Sequence, residues 1–279
     1  MNVPSAVDYL HYPFAQHALI AATLVAVISG LVGPFVASRD MAFAVHGAAE
    51  LAFPSAAAGL LIAGDAVNGA LLGSLVVATA IGLLGERQSE RNTAIGVVLA
   101  FGLGLGVLLL SYYHGFATEA TNILFGYIFG VSTHDIVVLS VIALAVIIII
   151  GVIYWPLLFA SIDPDVAAAR GVRVRLVGLV FVYVLALTVT EAAQIVGTLL
   201  VLSLAITPAA AARQFSANPL TVTALSVGFA LLAADGGLLL SLQWDSIKAS
   251  VFITFISFGL YLATRSVRVL SGRKRPARA

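Results

Sequence analysis

The chain has 279 residues, of which 61% are apolar and 10% charged, and its mean hydropathy is +1.09. Soluble globular chains carry about 25% charged residues, so this composition excludes an ordinary water-soluble domain and points to one bundle built around a bilayer. The absence of cysteine excludes disulfides and thiolate metal sites, leaving His, carboxylate, amide and hydroxyl groups for any metal contact.

Met1 to Phe14 holds Asp8 and His11 but no Lys or Arg. It lacks the basic start of a signal peptide, and residues 1–15 are expected to form an external interfacial lead-in. Apolar runs then follow in order: Gln16 to Ser38, Met41 to Ala63, Gly69 to Gly85, Thr93 to Tyr113, Ile136 to Phe159, Leu176 to Gln194, Ile195 to Ala212, Leu220 to Leu242 and Ala249 to Thr264. The third and ninth fall short of the roughly 20 residues an untilted span needs. Spanning segments must be helical, because hydrocarbon leaves unpaired backbone groups unsatisfied. The expected fold is therefore an all-α membrane protein, a polytopic bundle of about eight to nine transmembrane helices over residues 16–264, followed by a basic tail, 265–279.

Two regions do not fit simple crossings. Thr190 to Gln194 leaves almost no loop between the sixth and seventh runs, so Gln194 to Ala212 is a candidate for a break or a re-entrant piece. Thr118 to Asp135 contains an apolar core, ILFGYIFG, too short to span. It is expected to be an external half-helix or re-entrant segment, tolerable only if buried in protein.

Direction follows from the cations. With the N-terminus outside, Arg39, Arg87, Arg91, Arg170, Arg173, Arg175, Arg213, Arg265, Arg268, Arg273, Lys274, Arg275 and Arg278 all fall inside, and of the 14 Lys and Arg only Lys248 falls outside. An external start and an internal tail need an odd number of crossings.

Few polar residues interrupt the apolar runs. His46 and Glu50, near the start of the second run, are four apart and share one helical face. An imidazole and a carboxylate so placed can ligate zinc, manganese or iron ions; they can equally form a structural pair near the interface. Asp163 before Pro164 is the pattern of a helix N-cap with Pro at the first position, and Gly171 is a helix stop. Between them lies a short cytoplasmic helix with small residues, Ala167 to Ala169, suited to a partner's groove or simply capping two spans. Thr207-Pro208 predicts a kink. Gly102, Gly104 and Gly106 are expected to serve helix packing, and Gly126 and Gly130 to form a small-residue helix face. Glu191 and Asp235 are ionisable groups in or near spans, and His114, Glu119, His134 and Asp135 lie on external segments. No G-x-x-x-x-G-K-[ST] stretch is present, so the chain is not expected to be an ATPase itself.

In their order these motifs resemble the membrane permease subunits of bacterial ABC transporters for zinc, manganese or iron. The resemblance runs from about Tyr12 to Leu260. It rests on Tyr12-Pro13-Phe14 before Ala18-Leu19, and on Asp163-Pro164-Asp165 with Ala169-Arg170-Gly171-Val172. It rests further on Val196-Gly197-Thr198-Leu199-Leu200-Val201 with Thr207-Pro208-Ala209-Ala210-Ala211. It departs in the second run, where the family's usual Asp-Gly-x-Ser-His is replaced by His46-Gly47-Ala48-Ala49-Glu50. Carboxylate and imidazole have exchanged places at the same spacing. The family's Pro-Ser-Gly near the last span is also changed, at Asp245-Ser246-Ile247-Lys248.

The resemblance implies a multi-pass protein of the bacterial inner membrane that imports a divalent transition metal ion, zinc first and manganese or iron next, by alternating access. It implies a homodimer with a central pathway, two cytoplasmic ATP-binding subunits and an extracytoplasmic metal-binding protein, with no nucleic-acid partner. ATP and magnesium would belong to the partner ATPase, leaving no cofactor in this chain. His46 and Glu50 become the candidate transient metal ligands. Asp163, Pro164, Asp165, Ala169, Arg170 and Gly171 become the candidate coupling helix. An ion-driven secondary transporter, a permease for a metal chelate, and a membrane scaffold or receptor are the alternatives.

Overall fold

A computed structural model describes residues 9–83, 88–113, 126–198, 201–244 and 247–271, without the side chains of 81–83, 88–92 and 94. The described residues form α1 (Pro13–Ser38), α2 (Ala42–Ala63), α3 (Ala66–Leu83), α4 (Gln88–Ser111), α5 (Thr133–Ile162), α6 (Pro164–Ala169), α7 (Val174–Val196), α8 (Val201–Ala205), α9 (Thr207–Ala212), α10 (Pro219–Gln243) and α11 (Ala249–Leu270), with a 3-10 turn at Ile128–Gly130. No strand occurs among them. By length and composition α1, α2, α5, α7, α10 and α11 are candidate membrane spans, and Ala66–Ala80, Ile95–Ser111 and Val201–Ala212 are shorter apolar helices.

The helix ends follow from local chemistry. Pro13 opens α1, where its missing N–H costs nothing. α2 stops at Gly64, whose φ of +71° turns the chain straight into α3. Ser132 and Asp135 close a capping box, which starts α5 three residues before the predicted run. With 30 residues, α5 is about 45 Å long and exceeds the hydrocarbon thickness of about 30 Å.

α2 and α3 form a close antiparallel pair. A Cβ on Gly59 would lie 2.4 Å from the Cα of Gly69, and one on Gly69 2.5 Å from the Cα of Gly59, so two glycines let the backbones touch. Gly102 and Gly106 of α4 admit Leu51 and Phe53 of α2 in the same way, the packing role expected of them, whereas Gly104 meets nothing. α1 packs on α5, α7 and α10. Its Phe35 ring meets Tyr154 of α5 at 5.3 Å and Phe181 of α7 at 5.9 Å, both edge-on. The Tyr154 hydroxyl is 3.1 Å from Thr223 of α10, so this buried phenol is satisfied.

α11 shows which solvent the bundle expects. Ser250, Ser257 and Thr264 are buried while Phe255, Phe258 and Leu262 are exposed. A helix with hydroxyls inward and phenylalanines outward is stable against lipid and not against water.

The structure corrects one expectation and resolves another. Gly126 and Gly130 share no helix face: Gly126 has φ +79° outside any helix and Gly130 closes the 3-10 turn. Gly126 is needed instead for a backbone approach, since a Cβ there would lie 2.5 Å from the Ile195 carbonyl. Tyr127 N–H donates to the Gln194 carbonyl at 3.3 Å and Ile128 is buried. The described part of the ILFGYIFG stretch is thus held against protein; its first three residues lie outside the described residues. The seventh apolar run is broken, as its sequence suggested. α7 ends at Gly197, φ +99°, and α8 and α9 are separated at Ile206, just before Thr207-Pro208.

Candidate functional site

His46 and Glu50 sit one turn apart on α2, among Ala48, Ala49 and other small residues that let neighbouring helices close in. Nε2 of His46 is 3.2 Å from Oε1 of Glu50, and the two side chains are 35% and 14% exposed. The Phe43 ring lies 6.4 Å from the imidazole. Nδ1 of His46 is buried without a hydrogen-bond partner. One nitrogen and one carboxylate on the same face offer half of a tetrahedral shell. Among the described residues no three His, Cys, Asp or Glu side chains gather, so further donors must come from outside this set. A metal-bound imidazole commonly donates its other N–H to an acceptor; Nδ1 has none within the described chain.

The second predicted element, α6, projects between α5 and α7. The Asp163 carboxylate accepts from Val166 N–H at 3.0 Å, Pro164 takes the first turn, and Gly171 at φ +86° follows the C-cap Arg170. Cap, proline and glycine thus stand where the sequence placed them, although six residues make fewer than two turns. Ala167 is fully buried, while Pro164, Asp165, Val166, Ala168, Ala169 and Arg170 are exposed. One face anchors the helix and the other is free. Arg39 steadies the same end of the bundle: it donates to Ser161 Oγ at 3.3 Å and lies 5.8 Å from the Phe181 ring centre.

A third cluster received little weight from the sequence. Glu191 is only 3% exposed and Thr190 not at all, and among the described residues Glu191 Oε1, the Thr188 and Thr190 hydroxyls and Gln194 Nε2 all lack partners. The signal available was a carboxylate among Thr188, Thr190 and Gln194 inside an apolar run. Asp235, the other ionisable group noted within a span, accepts from Thr23 at 3.1 Å. Asp135 is spent on capping Ser132, and His114, Glu119 and Arg87 lie outside the described residues.

An inside-out helical bundle, one helix broken twice and an imidazole–carboxylate pair on one helix face define the class: a polytopic membrane permease. The family model described as the ABC 3 transport family matches residues 11–268, and the chain belongs to that family. It is 31% identical over 237 residues to the manganese transport system membrane protein MntC of Halalkalibacterium halodurans, covering 85% of this chain and 81% of the relative. It is 26% identical to the high-affinity zinc uptake system membrane protein ZnuB of Haemophilus influenzae, covering 82% and 88%. Among solved structures, PsaBC from Streptococcus pneumoniae in complex with Fab superposes with a TM-score of 0.83 at 28% identity, covering 93% of this chain and 94% of that one. The motif order in the sequence pointed to this family, and the chain is a multi-pass bacterial membrane protein.

Proposed function

We propose that the chain is the permease subunit of an ABC importer for a divalent transition metal ion, with His46 and Glu50 as transient ligands on its path. The observation that carries this is the 3.2 Å pair on one face of α2 in an otherwise apolar bundle, because intramembrane ionisable groups mark substrate pathways. Relatives named for manganese and for zinc support the class of ion; both belong to the expected set of zinc, manganese or iron, and iron suits the same donors. A two-donor site is weak, which suits a pathway: a full shell would trap the ion.

Two copies of the chain would supply four donors, two imidazoles and two carboxylates, and the homodimer follows from that count. The orientation is N-terminus outside and C-terminus inside, supported by 13 of the 14 cations falling on one side. Nine crossings, the odd end of the expected eight to nine, are reached if α3, α4 and the broken α8–α9 stretch join the six longer helices. The domain division stays lead-in, membrane domain and basic tail. The exposed side of α6 is the docking element for a separate ATPase, with Asp163 and Gly171 fixing its ends. ATP and magnesium act in that partner, and an extracytoplasmic binding protein delivers the ion.

The test is uptake of radioactive manganese or zinc by the assembled complex in proteoliposomes. His46→Ala with Glu50→Ala is expected to abolish uptake while the complex elutes unchanged from a sizing column. Normal uptake by the double variant would sink the ligand assignment.

A further inference from the structure

Glu191 poses a problem that metal passage at His46 and Glu50 does not solve. It lies 17 residues into α7, about 25 Å from the end that carries Arg173 and Arg175. It is 3% exposed, and Oε1 has no partner among the described residues. A bare carboxylate buried in an apolar protein interior is costly, so something carrying positive charge must accompany it.

The surroundings say what kind of charge. On a helix of 3.6 residues per turn, positions 190, 191 and 194 fall within an arc of about 100°. Thr190 Oγ1 and Gln194 Nε2 are buried and unpartnered on that arc, with Thr188 Oγ1 close beside it. Turning the Gln194 amide places its oxygen where the nitrogen stands. The donor set is then carboxylate, hydroxyl and amide oxygen, without nitrogen or sulfur, which suits hard ions. The last carbonyls of α7 lie one turn away, and a helix C-terminus favours cations. At this end of the neighbouring elements the titratable side chains are Asp135 of α5, within electrostatic reach of Glu191, His17 of α1, whose Nδ1 is 3.2 Å from the Val131 carbonyl, and Asp65 in the turn between α2 and α3, bonded to Asn68. His46 and Glu50 of α2 are occupied with each other. Asp135 is committed to the capping box with Ser132, which leaves Glu191 as the site's own carboxylate, and one carboxylate balances one positive charge better than two in a medium that screens poorly.

We propose that Glu191, with Thr190 and Gln194 beside it, forms an oxygen-lined site for one monovalent cation, sodium or a proton, at the end of α7 away from Arg173 and Arg175. The site is separate from the metal ligands and does not rest on the metal assignment. The backbone approach at Gly126 and Tyr127 meets the same end of α7, with Tyr127 N–H donating to the Gln194 carbonyl.

Thermal unfolding of the full chain in detergent tests this. In sodium chloride against choline chloride at equal ionic strength, a sodium site raises the wild-type midpoint by about 2–4 °C, and Glu191→Gln loses the rise. A proton site instead gives a wild-type midpoint that rises as the pH falls from about 8 to about 5 in sodium-free buffer, with Glu191→Gln lacking that dependence. Carbodiimide labelling of the wild-type carboxyl, read by mass spectrometry, covers the case in which the variant does not fold. A proton site is labelled, and a sodium site is labelled only when sodium is absent. Identical responses of wild type and Glu191→Gln to both variables, or no labelling under any condition, overturn the proposal. The His46→Ala, Glu50→Ala variant is expected to keep the wild-type response, so failure of the metal reading and failure of this one are told apart.

Discussion

Oε1 of Glu50 lies 3.2 Å from Nε2 of His46, and the same imidazole keeps its Nδ1 buried and unpartnered. The pair stands in the reverse order to the family's carboxylate-then-imidazole pattern. Because the spacing is four residues either way, both orders put the two groups on one face. If the pair ligates the ion as proposed, His46→Asp with Glu50→His should retain uptake within about tenfold of wild type, since donors of the same kind are kept and their supporting contacts change. His46→Ala with Glu50→Ala retains none. Competition between manganese and zinc in the uptake assay then reads whether the order sets the metal.

Most helices could be placed from apolar runs and cations because lipid demands long apolar segments and leaves few polar residues to interpret. Boundaries moved where capping decided them, as at Ser132 and Asp135, which no hydropathy window senses. The break at Ile206 was legible through Thr207-Pro208, since proline removes a backbone donor. The seating of Gly126 on the end of α7 was not legible, because it depends on two segments far apart in sequence. The same holds for Glu191. Its residue type was plain, but its burial without a partner is a tertiary fact.

The α2–α3 contact makes a stability prediction. A methyl group on Gly59 or Gly69 meets opposing backbone at 2.4 to 2.5 Å, and backbone cannot rotate aside. Gly69→Ala is expected to destabilise by about 1–3 kcal/mol, the range for overpacking. Gly104→Ala meets nothing within 4 Å and is expected to be neutral or to gain up to about 1 kcal/mol from helix propensity. Midpoints of thermal unfolding in detergent compare the two.

The α6 element has one buried face and one exposed face, and the exposed face is the proposed docking surface. Val166 is 44% exposed and Ala167 fully buried, although they are adjacent. Val166→Glu should leave the chain folded and cut recovery of the ATPase on affinity purification at least tenfold. Asp163→Ala removes the carboxylate that accepts from Val166 N–H and costs about 1 kcal/mol of local stability. Its ATPase is expected to bind but to hydrolyse ATP without matching uptake. Equal recovery of the ATPase with Val166→Glu would move the docking surface elsewhere.

The broken helix is tied to α11 by hydroxyls. Thr254 Oγ1 donates to Ser203 Oγ at 3.3 Å, and Arg268 bonds Gln214 beyond the end of α9. Weak neutral hydrogen bonds of about 1 kcal/mol can exchange partners as helices shift, and α8, only five residues long, joins α9 through a turn at Ile206 just before Pro208, which supplies no N–H. If α8 moves in each transport cycle, fixing it to α11 should stop transport. The chain has no cysteine, so Ser203→Cys with Thr254→Cys introduces the sole pair, at two side chains whose oxygens lie 3.3 Å apart. Oxidised double variant should lose at least nine-tenths of uptake, and a reductant should restore it, while each single variant stays near wild type under both conditions. Full uptake by the oxidised, demonstrably cross-linked protein would show that α8 and α11 travel together, and the moving boundary would then lie at Gly197 instead.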